Sequence, residues 1–129
     1  MRLFIEEINM LKRFSSLTLI ALLMLSPTAF AKSDRVLLQE AAKNQVSVAK
    51  AKTLKDETGV TLTGKIVKHI AEDDFEFKDA TGSIVLDIDD DLWQPMQLKA
   101  GDKVKVIGEV DTHRTKPTDI DVIRIERIK

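Results

Sequence analysis

One stretch constrains this chain more than any other. From residue 60 to residue 70, Val60, Leu62, Gly64, Ile66, Lys68 and Ile70 alternate with Thr61, Thr63, Lys65, Val67 and His69. Successive side chains of a strand point to opposite faces, so this period of two predicts a long strand with one face buried. Gly64 stands in its middle, where a residue without a side chain marks a bulge or a sharp bend.

The alternation recurs downstream. Residues 74–79 carry Phe75 and Phe77 on one face, and residues 83–88 carry Ile84, Leu86 and Ile88. Ala80-Thr81-Gly82 joins them as a tight turn, with Gly82 at the positive-φ position. Asp89-Asp90-Asp91-Leu92-Trp93 breaks the pattern as an aspartate-capped helical turn, which Pro95 soon stops. Residues 103–110 align Val104, Val106, Gly108 and Val110. Residues 111–119 form a polar loop. Residues 120–128 form a fifth strand whose alternation slips between Val122 and Ile123, a second sign of a bulge. Three strands, a short helix and two strands, with a long first strand kinked at a glycine, is the element order of an OB-fold. That fold is a mainly β, five-stranded Greek-key barrel. A different small β-barrel or an open sandwich with the same order is the alternative.

Residues 32–57 read differently from the barrel region, 58–129. Ser33 or Asp34 caps a short helix over Val36, Leu37, Leu38, Ala41 and Ala42. Residues 46–51 form a second short turn or an extended piece. The apolar stripe is thin, so this segment is expected to be a helical or loose arm on the barrel rather than a domain.

Residues 1–31 read as an address. Lys12 and Arg13 form a positive patch, residues 17–25 run apolar with one threonine, and Ala29-Phe30-Ala31 puts small residues at the two positions a signal peptidase reads. This order predicts a secretory signal peptide cleaved after Ala31. A membrane anchor needs roughly 20 apolar residues, and this run is much shorter. No stable membrane insertion is therefore expected after cleavage. Glu6 and Glu7 dilute the positive charge, and Met10 is an alternative start that gives a more ordinary signal.

The chain has no cysteine, so it has no disulfide framework, thiolate metal site or cysteine nucleophile. The fold must rest on its apolar core. The full chain carries 20 basic and 21 acidic side chains, and without residues 1–31 it stays mildly acidic. A domain that grips phosphate backbones is normally strongly basic. With Phe75 and Phe77 inward, no aromatic ring stands on the outer face to stack bases, each worth roughly 1–3 kcal/mol. Export, charge and that face argue together against nucleic acid. No nucleophile elbow, H-E-x-x-H or phosphate-loop pattern occurs, so neither an enzyme nor a cofactor is expected.

Five motifs keep a defined order. They are V-x-L-x-G-x-I (Val60, Leu62, Gly64, Ile66), F-x-F-x-D-A-T-G (Phe75 to Gly82), I-D-D-D-L-W (Ile88 to Trp93), D-K-V-K-V-I-G-E-V-D (Asp102 to Asp111) and I-D-V-I-R-I (Ile120 to Ile125). Together they resemble the bacterial OB-fold family, small periplasmic proteins of stress tolerance, over about residues 47–129 and the signal peptide. The resemblance implies a periplasmic, non-enzymatic OB domain that helps tolerate antimicrobial peptides, oxidants or metal ions. One departure is visible. The family has a glycine soon after the tryptophan, whereas Trp93 is followed by Gln94, Pro95 and Met96.

An OB barrel shows the outer face of its first three strands to ligands. Here that face is expected to carry Thr61, Thr63, Lys65, Val67 and His69, then Asp74, Glu76 and Lys78, then Val85 and Asp87. The ligand-binding candidates are Thr63, Lys65, His69, Glu76, Lys78 and Asp87. His113, Arg114 and Lys116 join them from the loop that borders the groove. The expected partner is an envelope component, whether glycan, peptide or protein. Asp87, Asp89, Asp90 and Asp91, with Asp79 nearby in the chain, offer an alternative: a site for a cation or a cationic peptide. A solvated, capped turn accounts for the same residues. Trp93 is expected to plug the open end of the barrel. His69 and His113 lie far apart in sequence, without the spacing of a metal site, and read as surface residues.

Overall fold

A computed structural model describes residues 32–129. The signal-peptide expectation, and the choice between Met1 and Met10, lie outside the described residues. Five strands close into one barrel: β1 (Gly59–Ala71), β2 (Asp74–Asp79), β3 (Gly82–Asp87), β4 (Lys103–Asp111) and β5 (Asp119–Arg127). Their order around the barrel is β1-β2-β3-β5-β4, with β4 pairing back onto β1. All neighbours are antiparallel except β3 and β5, which run parallel. This is the OB arrangement expected from the element order.

Closure depends on Gly64. Residues Gly59 to Lys65 of β1 pair with β4, and Lys65 to Ala71 pair with β2. The strand changes partners at the glycine. A Cβ on Gly64 would sit 2.2 Å from the Lys78 carbonyl oxygen and 2.7 Å from Phe77 Cζ. Only hydrogen fits there, so the glycine marks a close crossing of two backbones.

The register slips elsewhere. Ile66 pairs with Phe77 but Lys68 pairs with Glu76, so Val67 is the extra residue of a bulge. A one-residue slip turns the side chains that follow to the opposite face, and a second slip between His69 and Ala71 leaves Ile70 unpaired as well. On β5, Arg124 pairs with Ile107 and Val122 with Gly108, which leaves Ile123 unpaired. That bulge stands where the alternation slipped in the sequence.

The core is the alternation made solid. Leu62, Ile66, Phe75, Phe77, Leu86, Ile88, Val104, Val106 and Ile120 are fully buried. Each such side chain stabilises the fold by roughly 1.5–3 kcal/mol relative to exposure. Among the described residues no buried side-chain polar atom lacks a hydrogen bond.

Two short helices precede the barrel. α1 (Asp34–Lys43) starts at Ser33, whose hydroxyl accepts a hydrogen bond from the Val36 N–H. It buries Leu37 and Ala41 against β1. Thr61 Oγ1 donates to the Ala41 carbonyl at 2.9 Å, and Asn44 Nδ2 donates to the Gly59 carbonyl at 3.0 Å. α2 (Val48–Ala51) is capped by Ser47. The Asp79 carboxylate accepts from the Val48 N–H at 2.9 Å and from the Thr81 N–H at 2.7 Å. Burial raises the Asp79 carboxyl pKa, but the hydrogen bonds from Thr81, Val48 and Gly82 outweigh it and hold the group below its ordinary value. Asp79 therefore clips α2 to the β2–β3 turn and is not part of an acidic cluster. α3 (Asp90–Trp93) follows β3. Asp89 stands at its N-cap position, yet its side chain makes no capping hydrogen bond.

Candidate functional site

Two rows of like charge cross the outside of the barrel. In the first, Lys103 of β4 pairs with Lys65 of β1, and Lys65 pairs with Lys78 of β2. Three ammonium groups thus stand side by side on adjacent strands. All three lysines are exposed, and among the described residues none makes a salt bridge. Like charges directly opposite one another destabilise a sheet. They line a groove of about 510 Å³ together with Thr63, Gly64, Asp79, Ala80 and Ile128; the Asp79 carboxylate there is engaged by the Val48 and Thr81 N–H groups. Of the candidates, Thr63, Lys65 and Lys78 meet here. Lys103 comes from a distant strand and was legible only as an outward position of its alternation.

The second row is acidic. Asp74 of β2 pairs with Asp87 of β3, Asp87 with Asp121 of β5, and Asp121 with Glu109 of β4. Burial raises the Asp87 carboxyl above its ordinary value, and Asp121, Asp74, Asp119 and Asp73 add to the effect. Glu109 and Asp121 are raised in the same way, by burial first and by neighbouring carboxylates second. The cluster expected from the sequence is thus redrawn. Asp87 and Asp89 gather with Asp73, their oxygens within 4.8 Å of one another. Asp90 lies apart on the exposed first turn of α3, while Asp91 joins Asp89, Glu109 and Asp121 around a hollow that Lys32 also lines. The chain folds the carboxylates of four strands together, which local spacing does not reveal.

Other expected positions also move. Thr61 is not on the ligand face but buried under α1. The bulge at Val67 takes His69 off that face as well. His69 shares a face with its partner Phe75, stacking on it at 4.2 Å between ring centres and 7° between planes. Trp93 meets both rings edge-on and donates from Nε1 to Asp73 at 3.1 Å. It packs against the core at this end of the barrel, as a plug would. Lys68 and Ile70 take the outward places instead. Ile70 is among the few large apolar side chains left exposed.

Glu76 lines a second hollow of about 410 Å³ together with Ile70, Asp74, Val85, Lys116 and Asp119. The β4–β5 loop therefore does border the outer face. Arg114 is exposed at its tip. His113, expected as a surface residue without metal-site company, is instead half-buried between Asp111 and Asp119. Among the described residues no helix is long and apolar enough to cross a membrane.

A model of the family described as "Bacterial OB fold (BOF) protein" matches residues 26–127. The chain belongs to the bacterial OB-fold family. An uncharacterised Haemophilus influenzae protein is 34% identical over 121 residues, covering 91% of this chain and 98% of that one. The Escherichia coli protein YgiW is 42% identical over 82 residues, covering 64% of this chain and 62% of YgiW. A Pseudomonas aeruginosa protein named calcium-regulated OB-fold protein CarO is 46% identical over 74 residues, 57% of this chain and 63% of CarO. The solved structure of YgiW superimposes with a TM-score of 0.62 at 34% identity, over 79% of this chain and all of that one. A Pyrococcus horikoshii asparaginyl-tRNA synthetase reaches a TM-score of 0.55 at 18% identity, a likeness of fold alone. Within the bacterial OB-fold family, then, this chain carries its lysine row on β4-β1-β2 and its carboxylate row on β2-β3-β5-β4.

Proposed function

We propose that this chain is an exported, non-enzymatic binding protein that holds an anionic component of the bacterial envelope in the groove of Lys65, Lys78 and Lys103. The observation that carries this reading is the lysine row itself. Three unpaired ammonium groups in register destabilise the bare sheet, and an anion placed among them relieves that repulsion. Thr63, Gly64, Ala80 and Ile128 suit a ligand with an apolar or sugar body, and the groove's one carboxylate, Asp79, is engaged by the Val48 and Thr81 N–H groups. Carboxylate-bearing cell-wall fragments have this chemistry. Export rests on the signal-like pattern of residues 1–31, and a contribution to envelope stress tolerance rests on the family resemblance.

The test is a titration of soluble cell-wall fragments into the 15N-labelled protein. Amide shifts confined to residues 63–65, 78–80 and 103, lost when the three lysines become alanine, support the reading. An unperturbed spectrum, or shifts that survive the alanine variant, removes it.

A second reading rests on the acidic row, which favours a cation or a cationic peptide. Hard cations such as calcium take several oxygen ligands, and Asp73, Asp87 and Asp89 bring carboxylates within 4.8 Å of one another. This reading requires calcium or a cationic antimicrobial peptide to shift residues 73, 87 and 89 and to raise the melting temperature. No change in either would remove it.

A further inference from the structure

Asp111 ends β4, Asp119 opens β5, and the two are register partners. The loop between them brings His113 back over the pair. Its Nε2 lies 3.1 Å from Asp119 Oδ1 and 3.6 Å from Asp111 Oδ2. One donor atom from each residue lies within 4.8 Å of the other two. A neutral imidazole has one N–H, which can serve one carboxylate oxygen. Here a single ring nitrogen faces two. A cation at that point serves both oxygens and the nitrogen at once.

We propose that Asp111, His113 and Asp119 form a binding site for a divalent transition-metal ion, zinc by its donor set. Ligand bonds of about 2.0–2.2 Å in tetrahedral zinc sites place neighbouring donors about 3.3–3.6 Å apart. The observed separations of 3.1 and 3.6 Å bracket that spacing closely. One imidazole and two carboxylates suit zinc better than calcium, which prefers an all-oxygen shell of about six to eight ligands. Asp119 is held in place. Its side chain is only 12% exposed, and its other oxygen, Oδ2, faces Lys116 Nζ at 3.9 Å, leaving Oδ1 for the ion. Asp111 is more open, at 47%, so solvent or a ligand group can complete the coordination. The ion would pin the β4–β5 loop, whose Lys116, Pro117 and Thr118 wall the hollow beside Ile70 and Glu76. Zinc would thus set the shape of one ligand-facing hollow without touching the lysine groove.

The chain contains two histidines, so its imidazole 15N spectrum reports two rings. Zinc chloride titrated into the protein is expected to shift the His113 ring and the amides of residues 111–119, saturating at one equivalent. The His69 ring should stay in place. His113→Asn and Asp111→Asn should each weaken zinc binding by about tenfold or more, with amide shifts elsewhere unchanged. Asp111 is the more exposed of the two, so its variant keeps the test decisive if His113→Asn disturbs the loop. Calcium at the same concentration should leave the His113 ring unmoved. The proposal is overturned if zinc leaves that ring unmoved, shifts both rings alike, binds both variants as tightly as the parent, or is matched by calcium.

Discussion

The lysine row and the acidic row are built by the same device and differ in what surrounds them. Each places like charges directly opposite across neighbouring strands. The lysines stand on long stems in solvent around an open groove. They can spread apart, and none is bound by a carboxylate among the described residues. Of the acids, Asp87 and Glu109 are half-buried while Asp74 and Asp121 are exposed, and their shorter stems leave all four less room to spread. Asp87, Glu109 and Asp121 respond by holding protons more readily than free carboxylates do. The lesson is that stem length and burial decide whether a like-charge row waits for a ligand or for a proton. The net charge of the chain, close to zero, conceals both rows.

The largest expected effect tests whether the two ends share one core. Phe77 lies at the lysine end, against Gly64, and Phe75 lies at the acidic end, under His69 and Trp93. Both are fully buried. Phe75→Ala and Phe77→Ala should each cost about 3–5 kcal/mol in urea unfolding. A Phe77→Ala cost well below that range would break the comparison, because the lysine end would then be loosely attached rather than part of the barrel.

Next in size is the ligand response. Replacing Lys65, Lys78 and Lys103 by alanine should reduce affinity for an anionic cell-wall fragment by roughly tenfold or more, about 1.4 kcal/mol per factor of ten. Raising the salt to about 0.5 M should weaken binding to the parent protein, because exposed charges are screened. The stability of the variant should hold or rise by about 0.2–1 kcal/mol as the cross-strand repulsion is removed. Isothermal calorimetry and urea unfolding on the same samples read both. A large loss of stability would mean that the lysines support the fold.

The acidic row predicts a pH profile. The Asp87 pKa is raised by burial and by its carboxylate neighbours, so the folded protein binds that proton more tightly than the unfolded chain does. Stability should therefore rise as pH falls from neutral toward the raised value. Asp102 shifts the other way, held down first by its hydrogen bond from Arg127 at 2.9 Å. Its contribution is present above the unfolded carboxylate value, about 3.9, and is lost as pH falls through the lower folded value. The curve should peak on the acidic side of neutral. Asp87→Asn should raise stability at pH 7 by about 0.2–1 kcal/mol and flatten the limb between neutral and the peak. It should leave the steep loss at lower pH unchanged. Thermal melts across the pH range would show whether both limbs respond together, which would contradict the assignment to separate groups.

The smallest effect lies between the rows. Lys68 and Glu76 face each other at 4.0 Å, and the Lys68 side chain is 65% exposed. Lys68→Ala should change stability by no more than about 0.5 kcal/mol, as exposed pairs do. A larger cost in urea unfolding would show that this pair insulates one row from the other.

Much of the barrel is legible in the chain, because its cause is local. Alternation of Phe75 with Glu76 and Phe77, or of Val104 with Lys105 and Val106, states which face is buried wherever the strand lies. The Ser33 cap and the slip at Ile123 are likewise local patterns. Gly64 announces that something passes close by, though not what. The first of the two bulges of β1, at Val67, leaves no local mark, since Ile66, Lys68 and Ile70 keep the period unbroken. Its consequence is large: His69 moves off the ligand face, and Lys68 and Ile70 move onto it. Register is settled between strands, by the partner's packing, so no single strand records it. The same reason hides the sites. Lys103 reaches Lys65, Asp121 reaches Asp87, and Asp111 and Asp119 close around His113 only when the barrel closes. The sequence by itself determined the strands, their inward faces and the residues available for binding. The tertiary structure alone decided which of those residues stand together, because closure brings distant strands into register.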